Sequence, residues 1–177
     1  MLHVRYALLW ILALALSGCL LSEEPLIGET ESVTPIAPGN YVSVDEDGDE
    51  LVVTHSGTTT RVTDTRHPDD PDDVRFAALG GEYYIMMSRY DEDYMYRLIR
   101  NEGARFTLYG VNDDECDRLR ALWLSDGKTL AEVGIVSITG EENHLHCRFA
   151  RYDDLARAFR ALLENGGFEP DAVFARK

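Results

Sequence analysis

Two glycine-bearing turns set between runs of alternating apolar residues, Asp47-Gly48 and Gly80-Gly81, constrain this chain more than any other feature. Such pairs suit two-residue hairpins, whose central residues need positive φ. A two-residue register about Asp47-Gly48 pairs Val44 with Leu51 and Val42 with Val53, which puts all four apolar side chains on one face. Ser56-Gly57 then reverses the chain into 58–63, with Val62 expected opposite Leu51 on the same face. The same counting about Gly80-Gly81 pairs Ala78 with Tyr83, Phe76 with Ile85 and Val74 with Met87. Segments 94–100 and 104–109 follow after short polar connections, so residues 41–110 are expected to form an antiparallel meander of about six strands. A sheet of this kind has to cover its apolar face, either by closing on itself or by receiving helices.

Helical spacing appears only beyond the meander. Asn112 is placed to cap a helix over 113–124, with Asp113, Asp114 and Glu115 at the positive end of its dipole and Cys116, Leu119, Leu122 and Trp123 along one stripe. A stronger stripe of Leu155, Phe159, Leu162 and Leu163 follows Asp153 and stops at Asn165-Gly166-Gly167. A short helical turn is expected at 129–133 and strands at 135–138 and 145–149. The expected fold class is therefore α+β, an antiparallel β-meander (open sheet or small barrel) followed by two or three helices, in a single domain spanning residues 40–177.

Composition excludes several functions for such a domain. With 177 residues, 10% aromatics and 32 acids against 17 bases (net charge −15), the chain suits neither a polytopic membrane protein nor a disordered one. The acidity also argues against binding nucleic acid. A chain of this length buries about 70% of its unfolded surface, so its stability demands no cofactor, and none is expected.

The first 18 residues read differently. Arg5 precedes the apolar stretch from Tyr6 to Leu16, which is too short to span a bilayer and has the make-up of a secretory signal peptide. The sequence Leu16-Ser17-Gly18-Cys19 that follows resembles the lipobox of bacterial lipoproteins. The resemblance implies cleavage before Cys19, acylation of its thiol and new amino terminus, and stable attachment to a membrane through two or three acyl chains. With Leu20 rather than Asp after the cysteine, it further implies the periplasmic face of the outer membrane. Residues 19–39 carry three prolines, four glutamates and no periodic apolar face, and are expected to form a flexible tether. If Cys19 carries lipid, Cys116 and Cys147 remain. In an oxidising compartment such a pair is expected as a disulfide, the alternative being two buried free thiols.

Candidate chemistry is sparse. The run from Asp45 to Glu50 lacks the glycine and terminal glutamate that an EF-hand loop needs, and 67–73, with its repeated Pro-Asp-Asp, reads as a solvated connection. His144 and His146 would share a strand face but supply two ligands where zinc takes three or four, so no metal site is assigned. No catalytic motif with a mechanism behind it is present, and no enzymatic activity is expected. Tyrosines concentrate in the meander, and Tyr84, Met86, Tyr94 and Tyr96 are the candidate binding surface, since tyrosine offers a large contact area with few rotors. The plain alternative is that tyrosine simply favours strands.

These features lead to an expected non-enzymatic binding or scaffolding module of the cell envelope, acidic and so suited to a basic envelope protein. The alternatives are a small-molecule carrier of lipocalin-like type, with the meander closed around an apolar ligand, or an inhibitor of a basic envelope enzyme. The last is similar in general type to the membrane-bound lysozyme inhibitors, although their inhibitory loop motifs are absent. The folded region also resembles other small envelope lipoproteins, a likeness that implies no activity.

Overall fold

The computed structural model describes residues 20–44, 48–110, 115–141 and 144–177. Its elements in chain order are β1 (Leu20–Ser22), β2 (Ser32–Val33), β3 (Gly39–Ser43), β4 (Glu50–Ser56), β5 (Thr59–Asp64), β6 (Asp72–Gly80), β7 (Tyr83–Tyr90), β8 (Asp93–Asn101) and β9 (Arg105–Gly110). Helix α1 (Glu115–Ser125), β10 (Ile135–Glu141), β11 (His144–Phe149), α2 (Tyr152–Glu164) and β12 (Glu169–Arg176) complete the chain. Among the described residues no helix is long and apolar enough to cross a membrane.

The expected meander followed by helices is corrected to a closed antiparallel barrel. Strands β3 to β9 pair in succession, and β12, which comes after the last helix, closes the ring by pairing with both β3 and β9. Ala175 lies opposite Val42 on one side and Arg105 on the other. The helices are insertions before this closing strand. Its sequence, Glu-Pro-Asp-Ala-Val-Phe-Ala-Arg, starts with strand-poor residues, and a bulge between Pro170 and Ala172 accommodates the proline.

Two cores lie back to back across the wall formed by β6, β7 and β8. Along β8, Tyr96 and Leu98 face outward and Ile99 faces the barrel interior. Along β6, Val74 and Phe76 face inward and Ala77 and Leu79 outward. A wall that is apolar on both faces must be covered outside as well as filled inside. The outer cover consists of α1 and α2, which bury Leu119, Trp123, Leu155, Phe159 and Leu162, together with β1, β10 and β11. Strand β1 bridges the layers, running antiparallel to β8 and parallel to β11. Where β10 begins, Gly134 has φ 84°, and a side chain there would collide with the buried Asp154 of α2, so the approach of these two elements requires glycine.

Two hairpin registers differ from expectation. About 44–49 the observed pairing is Tyr41 with Leu51 and Val42 with Glu50, three residues away from a two-residue turn. A tight turn would have set Asp45 against Glu50 and Glu46 against Asp49, like charges directly opposed. An odd shift reverses the faces of β3, so Tyr41 is buried inside the barrel while Val44 is 53% exposed. Asp45–Asp47 themselves lie outside the described residues. About Gly80 the register slips by one, with Phe76 opposite Met86 and Ala77 opposite Ile85, and a bulge between Ala78 and Gly80. Because β6 is apolar on both faces, its pattern does not penalise that slip. Val62 does share the interior face with Leu51, but its partner is Val53.

The expected tether is ordered structure from Leu20 onward, a further correction. Leu20, Leu21, Ile27 and Ile36 are all buried. Apolar residues spaced between prolines show no period, yet Leu20 and Ile27 join the outer core and Ile36 the barrel interior. Ser22 is buried as well. Its hydroxyl donates to Glu24 O (2.5 Å) and accepts from the Tyr96 hydroxyl (2.6 Å), which in turn accepts the Leu26 amide (3.0 Å). The expected helix cap at Asn112 lies outside the described residues.

Candidate functional site

The strand directions give the barrel two distinct ends. One carries the β4–β5, β6–β7 and β8–β9 turns; the other carries the connections 44–49, 65–71 and 91–92. Residues 35–38 form a strap over the first end, and the barrel pins it by four consecutive carbonyls. Asn101 Nδ2 donates to Pro35 O (2.6 Å), His55 Nε2 to Ile36 O (2.9 Å), the Tyr41 hydroxyl to Ala37 O (2.8 Å) and Arg176 Nη2 to Pro38 O (2.8 Å). Each such bond contributes about 1 kcal/mol net. Ile36 projects from the strap into the interior as its floor.

Above this floor lies a cavity of about 330 Å³. Its walls are Leu51, Val62, Val74, Met86, Ile99 and Phe106, with Phe174 of the closing strand stacked on Phe106 at 5.1 Å between ring centres. The size falls in the range of small-molecule sites, about 300–1,000 Å³, and the lining has their apolar character. Polar groups gather toward the second end, where Asp72, Ser88, Arg89 and Arg97 line the cavity. Burial pushes the Asp72 carboxyl above the ordinary range, as does Asp70 beside it, and Arg97 opposes the rise. Arg97 Nε is buried with no hydrogen-bond partner among the described residues.

Other charges near this end are paired. Arg61 grips Asp73 with two bonds (2.8 and 2.9 Å), and Arg66 bridges Asp64 (3.0 Å) and Asp49 (2.8 Å). Hydrogen bonds from the Arg66 side chain and amide hold the Asp64 carboxyl down at about 2. The folded protein therefore favours this carboxylate. Its contribution to stability is complete above the ordinary value of about 3.9 and disappears as pH falls through the folded value. In Arg66→Ala the Asp64 carboxyl is expected to titrate near 3.9 again, roughly the unperturbed value, read by carboxyl-carbon NMR.

The four candidate surface residues do not form one surface. Tyr84 and Met86 pack in the barrel interior, with Met86 on the cavity wall. Tyr94 and Tyr96 belong to the outer core, where Tyr96 is fully buried and Tyr94 lies under the Arg89 guanidinium at 5.2 Å. The one-residue register slip does not cause this split; β7 turns Tyr84 and Met86 to the interior, while β8 turns both Tyr94 and Tyr96 outward. Arg97 and Asp72 were absent from the expected set. The signal for Arg97 was legible, because it shares a strand face with Met95 and Ile99 and so places a charge on an otherwise apolar side.

Cys116 and Cys147 form a disulfide, with 5.4 Å between Cα atoms, that ties α1 to β11 in the outer core. Cys19 lies outside the described residues. Among the described residues no group of three or more histidine, cysteine or acidic side chains is brought together to hold a metal, and Cys147, beside His146, is committed to the disulfide. An open groove of about 320 Å³ runs between α1 and α2, floored by Leu122 and Leu162. No protein-family model, curated protein or solved structure matches this chain.

Proposed function

We propose that this protein is a non-enzymatic carrier that holds a small apolar molecule inside its barrel, at a cell envelope to which lipid on Cys19 attaches it. The observation that carries this reading is the cavity of about 330 Å³ in a closed barrel, walled by aliphatic and aromatic side chains where a simple core would be filled. The barrel architecture is compatible with lipocalin-like binding. A scaffolding role through a tyrosine face has less support, because Tyr96 is buried and Tyr84 faces inward. With Leu20 already locked between β8 and β11, an anchor on Cys19 holds the barrel close against the bilayer rather than on a long leash. A ligand leaving or entering the lipid then has a short path, and the acidic exterior is left for a basic envelope partner.

The neutral fluorophore N-phenylnaphthylamine tests the reading. Saturable binding of one molecule per chain is expected, and Met86→Trp, which fills the cavity from its wall, is expected to abolish it while leaving the thermal transition cooperative. Absence of saturable binding, or equal binding by Met86→Trp, overturns the proposal.

A further inference from the structure

Arg97 is an anomaly inside the barrel. It stands on β8 between Met95 and Ile99, and all three line the cavity. A guanidinium keeps its charge at any physiological pH and carries five N–H donors in a fixed fork. Burying such donors without acceptors is costly, so buried arginines are ordinarily matched by a carboxylate or by carbonyls. Among the described residues Arg97 has no ion pair within 4.0 Å, and its Nε has no acceptor. The other polar groups on the cavity do not supply one. Arg89 has no acceptor to offer, and its Nε and Nη1 donate to the Asp91 carbonyl (2.8 Å) and the Tyr94 hydroxyl (3.3 Å). Asp72 acts on Arg97 only through the field between them.

Resting on the carrier reading above, we propose that the ligand is an amphiphile whose apolar body fills the barrel and whose single carboxylate head takes the Arg97 fork. The two parallel N–H groups of a guanidinium match the two oxygens of a carboxylate. One guanidinium on the apolar wall, with the Nε and Nη1 of Arg89 already bonded to Asp91 and Tyr94, suits a monoanion better than a phosphate carrying two charges. Asp72 lies at the same end of the cavity, where burial and Asp70 raise its carboxyl and Arg97 lowers it. The rest of the wall is aliphatic or aromatic, so each methylene of the body adds about fourfold to the affinity until the cavity is full.

The test compares decanoate with decanol on the purified full-length protein by calorimetry at neutral pH. Decanoate is expected to bind roughly ten- to a hundredfold more tightly, the strength of a charge-assisted hydrogen bond in a buried site. Arg97→Met is expected to erase that preference and leave decanol affinity within about twofold, while Arg97→Lys, which keeps the charge but loses the fork, keeps part of it. Equal binding of acid and alcohol by the unaltered protein overturns the head-group assignment and leaves the carrier reading standing. A preference that survives in Arg97→Met overturns the role of Arg97. Binding of neither compound overturns the carrier reading itself. Should Arg97→Met fail to fold, the ratio of acid to alcohol in the unaltered protein and in Arg97→Lys decides the question.

Discussion

A chain ending at Phe168 is expected not to reach the folded state. It lacks β12, the strand that closes the barrel, and leaves β3 and β9 as two unpaired edges flanking an open apolar interior. The missing segment also takes away Phe174, which is 8% exposed and stacked on Phe106, and the Arg176 hydrogen bond that helps hold the strap over the barrel end. Phe174→Ala alone is expected to cost about 3–5 kcal/mol, a large part of the roughly 5–15 kcal/mol that keeps a domain folded. Loss of the whole strand exceeds that margin. Near-ultraviolet circular dichroism of the truncated chain should show no fixed aromatic environment, and its unfolding should not be cooperative. A cooperative transition in that chain would mean that residues 39–110 form a stable sheet without closure.

Loss of the Cys116–Cys147 bond is expected to have the second largest effect, and a different one. The cysteines are 31 residues apart in sequence, and releasing a loop of that length costs about 3–4 kcal/mol in the chain-entropy account. The bond lies in the outer layer, joining α1 to β11, neither of which belongs to the closed ring. In the double variant Cys116→Ala, Cys147→Ala, amide exchange should therefore accelerate in α1 and β11 first, while β4 and β5 keep their protection and N-phenylnaphthylamine still binds. Uniform loss of protection across both layers would show that the two cores unfold as one unit, with the outer layer essential to the barrel.

How much of this was readable in advance depends on which residues carried a local signal. The helix over 152–164 was legible because its buried stripe recurs at helical spacing and Gly166-Gly167 ends it, with the Gly167 amide returning to Leu162 O at 2.8 Å. Strands β8 and β9 were legible too, being bounded by short polar turns. Register was not. The acids at 45–50 oppose the tight turn that Asp47-Gly48 invites, and Phe76 and Ala77 are both apolar, so either face of β6 could have been the inner one. Closure was not legible because it depends on the stretch 172–175, too short an apolar run to stand out behind Pro170 and Asp171. The strap depends on four main-chain carbonyls, which leave no mark on sequence at all. At the site, the concentration of tyrosines marks the right strands but not which face each residue takes, and the one mark of Arg97 is its apolar neighbours at 95 and 99.

The central claim is that the closed barrel encloses the ligand site. Methyl chemical shifts measured while decanol is added test this most directly. The account predicts saturable shifts confined to Leu51, Val62, Met86 and Ile99, with Leu98 and Leu119 on the far side of the wall unchanged. Shifts confined to Leu122 and Leu162 in the groove between the helices, or no saturable shifts at all, would contradict it.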